Sequence, residues 1–386
     1  MKKDWTYKKL GEVAEIVGGS TPKTDIEEYW GGNHYWVTPA ELDGSKYIES
    51  TQRTITDKAI EKTNLSLLPS GTVLLSSRAP IGKVCITKSP MYCNQGFKNI
   101  VCGDSLYNEF VYYTLCNSVD YLQSLGTGAT FKEISKKVVE KVEIPVPSIE
   151  EQHQIVAELD LLSGMIEKQK AQIEELNKLA QSIFYDMFGD PVTNEKGWEV
   201  KKIGEIGNVE RGAGISKKDF VEEGLPCIHY GQLHTCLGAT THEHKTCIPK
   251  DLLPKYKIAH PGDVIMAITS EDVEGSCTST AWLGDYDIVV GSDAAIFHHS
   301  INGVYISYYT RTKAFYNEKA KYAKGFKVTH ISTSEIETIP IPLPPLSLQQ
   351  EFAAKIEAIE VMKAKVRQSL KESETLFNSR MDYYFN

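Results

Sequence analysis

The chain has 386 residues, 41% hydrophobic and 24% charged, with a formal net charge of −9. That length suits two or three domains, each with its own core, and no apolar run is long enough to span a bilayer. An acidic balance excludes indiscriminate electrostatic adhesion of the whole surface to nucleic acid. The excess acid is local: residues 148–190 carry 3 basic and 9 acidic groups, against 17 and 17 in 1–147, 16 and 19 in 191–345, and 6 and 6 in 346–386. The opening MKKDWTYKK lacks the apolar core of an export signal. Its eight cysteines are scattered, without a C-x-x-C. Reduced thiols and a cytoplasmic location are expected.

Residues 1–147 read as a strand-rich domain. Short apolar runs such as TVLLSS (72–77) and KVCITK (83–88) lie between Gly, Pro, Asn and Ser, and helical pieces are expected in 105–125. Residues 144–147, IPVP, read as a stiff link, because proline fixes its own φ and extends its predecessor.

The next stretch, 148–190, is a long helix. Ile155, Leu159, Leu162, Ile166, Ile173, Leu176, Ala180, Ile183 and Met187 recur in alternating steps of four and three, with Gln169 as the polar member. Such a seam calls for a partner helix. Ser148 and Glu151 form a candidate capping box, while Gly189 and Pro191 stop the helix. Some 40 residues make a rod about 60 Å long.

Residues 191–345 repeat the first pattern, with strands expected at 263–269 and 286–291 and helical pieces in 302–322. A second long helix, 346–386, opens with Ser347 and Gln350 as its expected capping box. It keeps a seam through Phe352, Ile356, Ile359, Val366, Leu370 and Phe377, interrupted at Lys363 and Ser373.

Internal similarity sets the architecture. Trp5-x4-Leu10-Gly11-Glu12-Val13 returns as Trp198-x4-Ile203-Gly204-Glu205-Ile206. Gly128-x5-Ile134-Ser135, the IPVP border and Gln152 return as Gly325-x5-Ile331-Ser332, Ile341-Pro342-Leu343-Pro344 and Gln349. The fold class is therefore α+β: two strand-rich α/β domains in tandem, each followed by a long helix. The helices are expected to pair as an antiparallel coiled coil with pseudo-two-fold symmetry. Duplex DNA has local two-fold axes, so such a chain could read two separated half-sites. A tandem protein-scaffolding module on the same helical ruler, without DNA, is the alternative.

The W-x4-LGE openings, the segment LLSSRAPIGKVCI (74–86) followed by NQGFKNI (94–100), and IPVPSIEEQHQI leading into a long helix resemble the specificity subunit of Type I restriction-modification systems. The likeness covers both halves in order. It implies two target-recognition domains reading a bipartite double-stranded DNA site, and two helices acting as ruler and docking surface. It also implies methyltransferase (modification) subunits and a restriction/motor subunit as partners, which supply methylation, ATP hydrolysis and cleavage. No membrane association and no cofactor are expected.

Enzyme signatures are missing from the sequence: it has no Walker-type loop, no methyltransferase tetrapeptide and no G-x-S-x-G elbow. Gly212-Ala213-Gly214 reads as a turn. His234, Cys236, His242, His244 and Cys247 match no closed zinc spacing and read as a loop, so no metal is expected.

DNA contact needs forked donors on loops projecting from a rigid sheet. In the first domain the candidates are Arg78 and Lys83 around the Ala79–Gly82 turn, Asn94 and Gln95 in the next loop, and Lys23, Lys98, Thr130 and Lys132 for phosphates. In the second they are Arg211, Lys217, Lys218, His229, Tyr230, Gln232, Lys324 and Lys327. The second half has AITSEDVEGSCTS (267–279), without Arg or Gly-Lys, where the first has SSRAPIGKV.

Overall fold

The computed structural model describes residues 5–78, 80–128, 132–215, 217–250, 256–323 and 328–386. The chain divides into two compact units, Met1–Lys170 with Gln368–Asn386, and Ala171–Arg367. Each unit holds one strand-rich globule and part of both long helices.

In the first unit, five strands lie in the order Ala14–Gly18, Lys98–Cys102, Val73–Leu75, Val84–Thr87 and Tyr47–Ile48. In the second the order is Gly207–Arg211, Ala294–His299, Val264–Ala267, Ser279–Trp282 and Thr240–Thr241. The two sheets share a topology, down to a last strand that joins in parallel.

The central strands are buried on both faces, which is why they read as continuous apolar runs. Val73, Leu75, Val84 and Ile86 pack with Val111, Leu115 and Leu122 of the expected helices. Leu74 and Cys85, pointing the other way, pack with Val37, Met91 and Phe97. The same alternation sends Val264, Met266 and Ala281 toward Val304, Tyr305 and Tyr308, and Ile265, Ala267 and Trp282 toward Ile228, Leu233 and Ile288.

The Pro-rich borders are not mere links. Glu143–Val146 pairs antiparallel with Thr6–Lys9, setting Pro145 opposite Tyr7. Pro340–Leu343 pairs likewise with Glu199–Lys202, with Pro342 opposite Val200. A two-stranded ribbon has a free edge, so a proline without an N–H is tolerated there. Each ribbon fastens the opening of its globule to its close.

The long helices span Ile149–Phe188 and Leu346–Phe385. Within the first unit Arg380 donates to Glu158 at 2.8 Å and Gln169 to Ser369 at 2.9 Å. One number rises as the other falls, so the helices run antiparallel. Ile155, Val156 and Leu159 are buried with Phe110, Tyr113 and Met381. Within the second unit Phe184 and Phe188 enclose Phe352, at centroid distances of 5.7 and 5.2 Å.

Both helix starts differ from the expectation. Ser148 does accept from the Glu151 amide at 3.3 Å, but the Glu151 carboxylate takes the Trp5 indole N–H at 3.0 Å instead of reaching back. Ser347 is not a cap, since the second helix begins at Leu346 and the Gln349 amide donates to the Pro345 carbonyl. The stop at Gly189 holds: its φ of +76° is the left-handed region that glycine enters without a Cβ clash.

The repeated glutamines clamp helix to globule. Gln152, fully buried, accepts from the Tyr107 amide and donates to the Ser105 and Pro147 carbonyls. Gln349 accepts from the Asn302 amide and donates to the Pro344 carbonyl. A buried amide that satisfies three backbone groups cannot be exchanged for an apolar side chain without orphaning them.

Candidate functional site

The loops following the third strand of each sheet occupy equivalent places. In the first unit the Ser77 carbonyl accepts from Ile134, and Arg78 bridges Glu133. In the second the Ile268 carbonyl accepts from Ile331, and Thr269 pairs with His330. Thr269 therefore stands where Arg78 does, and His330 where Glu133 does. The frame is kept and the chemistry is changed.

A second loop pair is held by close backbone approach. A Cβ on Gly19 would lie 1.8 Å from the Asn94 carbonyl oxygen, and one on Gly212 would lie 2.2 Å from that of Gly291. Ser20 and Ala213 then donate to Cys93 and Val290. Only glycine lets these strands run that near each other. This is the structural meaning of the GGS and GAG runs.

In the first unit the candidate cations differ in availability. The Arg78 Nε donates to a Glu133 carboxylate oxygen at 3.0 Å, and Lys98 reaches the other oxygen at 3.3 Å and the Ser77 hydroxyl at 3.2 Å. Burial alone would raise the Glu133 pKa, yet the hydrogen bonds from Arg78 and Lys98 hold it below the ordinary carboxylate value. Its share of stability is therefore present above that ordinary value and is lost as pH falls through the lower, folded one. Lys83 turns inward and donates to the Pro39 and Leu42 carbonyls at 3.2 and 2.8 Å. Asn94 accepts from the Gly96 amide at 2.8 Å, closing its own turn. Gln95 is exposed and takes the Thr21 hydroxyl. Lys23 and Lys132 are exposed. Thr130 lies outside the described residues.

In the second unit Arg211 donates to the Ser292 carbonyl at 2.9 Å and stands 3.9 Å from Asp293. His229 caps the short helix Tyr230–Thr235 and tilts against Phe220. Tyr230 is exposed, with His234 beside it at 6.0 Å. Gln232 is buried, accepting from the His229 amide and donating to Thr246, so its amide serves the fold. Lys218 is exposed. The Lys217 side chain, Lys324 and Lys327 lie outside the described residues.

Tyr230, His234, Thr269, Glu271, Asp272, Glu274 and Val328 line a cavity of about 580 Å³. Beneath its loop Lys319, 4% exposed, donates to the Glu274 and Ser276 carbonyls. Desolvation holds its pKa below that of an ordinary lysine. Of the expected histidine and cysteine loop, His234 contacts the Thr269 carbonyl and His244 the Tyr286 hydroxyl. Among the described residues no three His, Cys, Asp or Glu side chains are grouped to hold a metal ion.

Sequence reasoning missed Glu133 and Lys319. Glu133 lay in the FKEIS segment one residue past a candidate, but nothing local ties it to Arg78, 55 residues away.

The family described as "Type I restriction modification DNA specificity domain" matches residues 2–178 and again 195–372. The chain belongs to that specificity family. A Type I restriction enzyme MjaIX specificity subunit from Methanocaldococcus jannaschii is 32% identical over 92% of this chain and 87% of its own length. The MjaVIII specificity subunit of the same organism is 26% identical over 92% and 86%. Two solved structures share this chain's fold. One, from a study of complex assembly and conformational transition of the type I R-M system, has a TM-score of 0.58 at 18% identity, covering 100% of this chain and 98% of that one. The other, a Type I restriction-modification S subunit from M. genitalium, has a TM-score of 0.56 at 14% identity over 98% and 95%. Among the described residues no helix is long and apolar enough to cross a membrane.

Proposed function

We propose that this chain is the non-catalytic subunit that reads a bipartite double-stranded DNA target and directs methyltransferase and restriction subunits of a Type I restriction-modification complex to it. One observation carries the reading. The same scaffold occurs twice, and at its matching loop position one copy presents Arg78 with Glu133 while the other presents Thr269 with His330. A duplicated frame with unlike donors and acceptors suits two half-sites of unlike sequence. Residues 1–147 and 191–345 would be the two readers, and 148–190 and 346–386 the spacer helices. Catalysis and its cofactors would belong to the partners, in the cytoplasm.

Mapping methylated sequences in cells that carry the whole complex tests the proposal. The expected result is a two-part motif with an unspecific spacer. A continuous motif would overturn it.

A second expectation concerns Glu133. Replacing it with glutamine releases Arg78 and Lys98 from their shared carboxylate. If both then meet phosphates, the dependence of log affinity on log salt should steepen by roughly one to two units, read by salt titration of the complex on duplex DNA. An unchanged slope would assign both cations to the fold.

A further inference from the structure

A cationic side chain outside the predicted set is presented by an aromatic platform in the first unit. Trp30 and Trp36 meet edge to face, with centroids 4.9 Å apart. The Arg53 guanidinium lies over Trp30 at 3.7 Å from its centroid, and 5.2 Å from that of Trp36. Arg53 is exposed, and among the described residues no carboxylate pairs with it. Its backbone is fixed, because its carbonyl accepts from the Trp36 amide at 3.2 Å and the Thr51 hydroxyl at 2.6 Å.

The platform also gathers the other contact candidates. The Trp30 indole donates to the Lys23 carbonyl at 3.2 Å, and the Trp36 indole to the Ser20 carbonyl at 3.1 Å. The next residue, Thr21, holds Gln95. Arg53, Lys23 and Gln95 are thus joined through one set of contacts.

Resting on the DNA-reading function proposed above, we infer that Arg53 is a base-reading residue of the first domain and that it takes guanine. A guanidinium stacked on an indole keeps its planar fork and leaves its edge donors free. That fork matches the O6 and N7 acceptors of guanine in the major groove. A phosphate would be served as well by a flexible, unstacked cation. The contrast with Arg78 is chemical: its Nε is tied to the Glu133 carboxylate, which partly neutralises it, whereas Arg53 rests on an aromatic face. The strand registers place Cys227 of the second domain where Trp36 stands, each beside the matching parallel strand. The platform therefore belongs to one half, and its effect should too.

The test maps the methylated motif of the whole complex with the wild-type chain, then with Arg53→Ala and Arg53→Lys. Both variants should accept other bases at one guanine position in one half of the motif, with a drop in discrimination of roughly ten- to a hundredfold. Lysine keeps the charge but not the fork, so it should restore affinity without restoring discrimination. Unchanged discrimination would overturn the inference, and so would a uniform loss across both halves, which marks a structural or phosphate role. If the wild-type complex yields no two-part motif, the functional reading itself fails and takes this inference with it.

Discussion

Truncating Phe352 to alanine is expected to destabilise the second unit by about 3–5 kcal/mol. Its ring is fully buried and meets Phe184, Phe188 and Tyr308 at centroid distances between 5.2 and 5.7 Å. The ring spans the place where both helices meet the globule, so its loss leaves a cavity walled by stiff aromatics and by Tyr305, which Phe184 stacks on. Such walls collapse poorly, which argues for the upper part of the range. Chemical denaturation of the full chain reads the effect. Phe377→Ala in the first unit, at a partly buried seam position, should cost clearly less. Equal losses would mean that the two seams, and not the aromatic cluster, carry the stability.

That cluster also marks how far the sequence could be read. The heptad pattern placed both helices to within a few residues, because a long seam repeats its signal many times. Ile155, Leu159, Leu162 and Ile166 are buried as the spacing requires. Phe184 and Phe188 lie beside that seam, and their burial reflects a globule packed onto the helix, which no local period encodes. Ser148 caps the first helix as expected, but the reach-back half of its capping box failed for a related reason. Glu151 had two possible partners, and the Trp5 indole, 146 residues away, took it.

The repeat made the framework legible and left the contacts hidden. Matching Gln152 with Gln349 identified a conserved position within the chain, and the structure supplies its duty as a clamp on backbone groups. Arg78 and Lys83 were recognisable as donors, but the engagement of the Arg78 Nε by Glu133 and of Lys83 by backbone carbonyls depends on long-range folding. Arg53 was passed over because its platform, Trp30 and Trp36, is assembled by strand pairing from residues about twenty positions away. Donor type is written in the sequence; availability is a tertiary property.

The last expectation concerns the loop where the second domain departs most from the first. Lys319→Met should cost roughly 2–4 kcal/mol, because it leaves two carbonyls, those of Glu274 and Ser276, without a donor in a nearly closed site. Methionine fills similar volume, so the cost reports lost hydrogen bonds more than a cavity. Part of it is offset, since the buried ammonium is itself poorly solvated and its pKa is depressed by that burial. The functional consequence should exceed the thermodynamic one. The loop carries Glu271, Asp272 and Glu274 at the rim of its cavity, and carboxylates that accept from cytosine amino groups discriminate only when held in place. Cys277, at a φ of +57° and fully buried, ends the same loop, so the backbone there has little freedom to find another arrangement once the ammonium is gone. Thermal unfolding together with motif mapping separates the two effects. The expected outcome is a destabilised chain whose second half-site is relaxed while the first stays intact. Relaxation of both halves would show that Lys319 serves general stability and does not hold a reading loop.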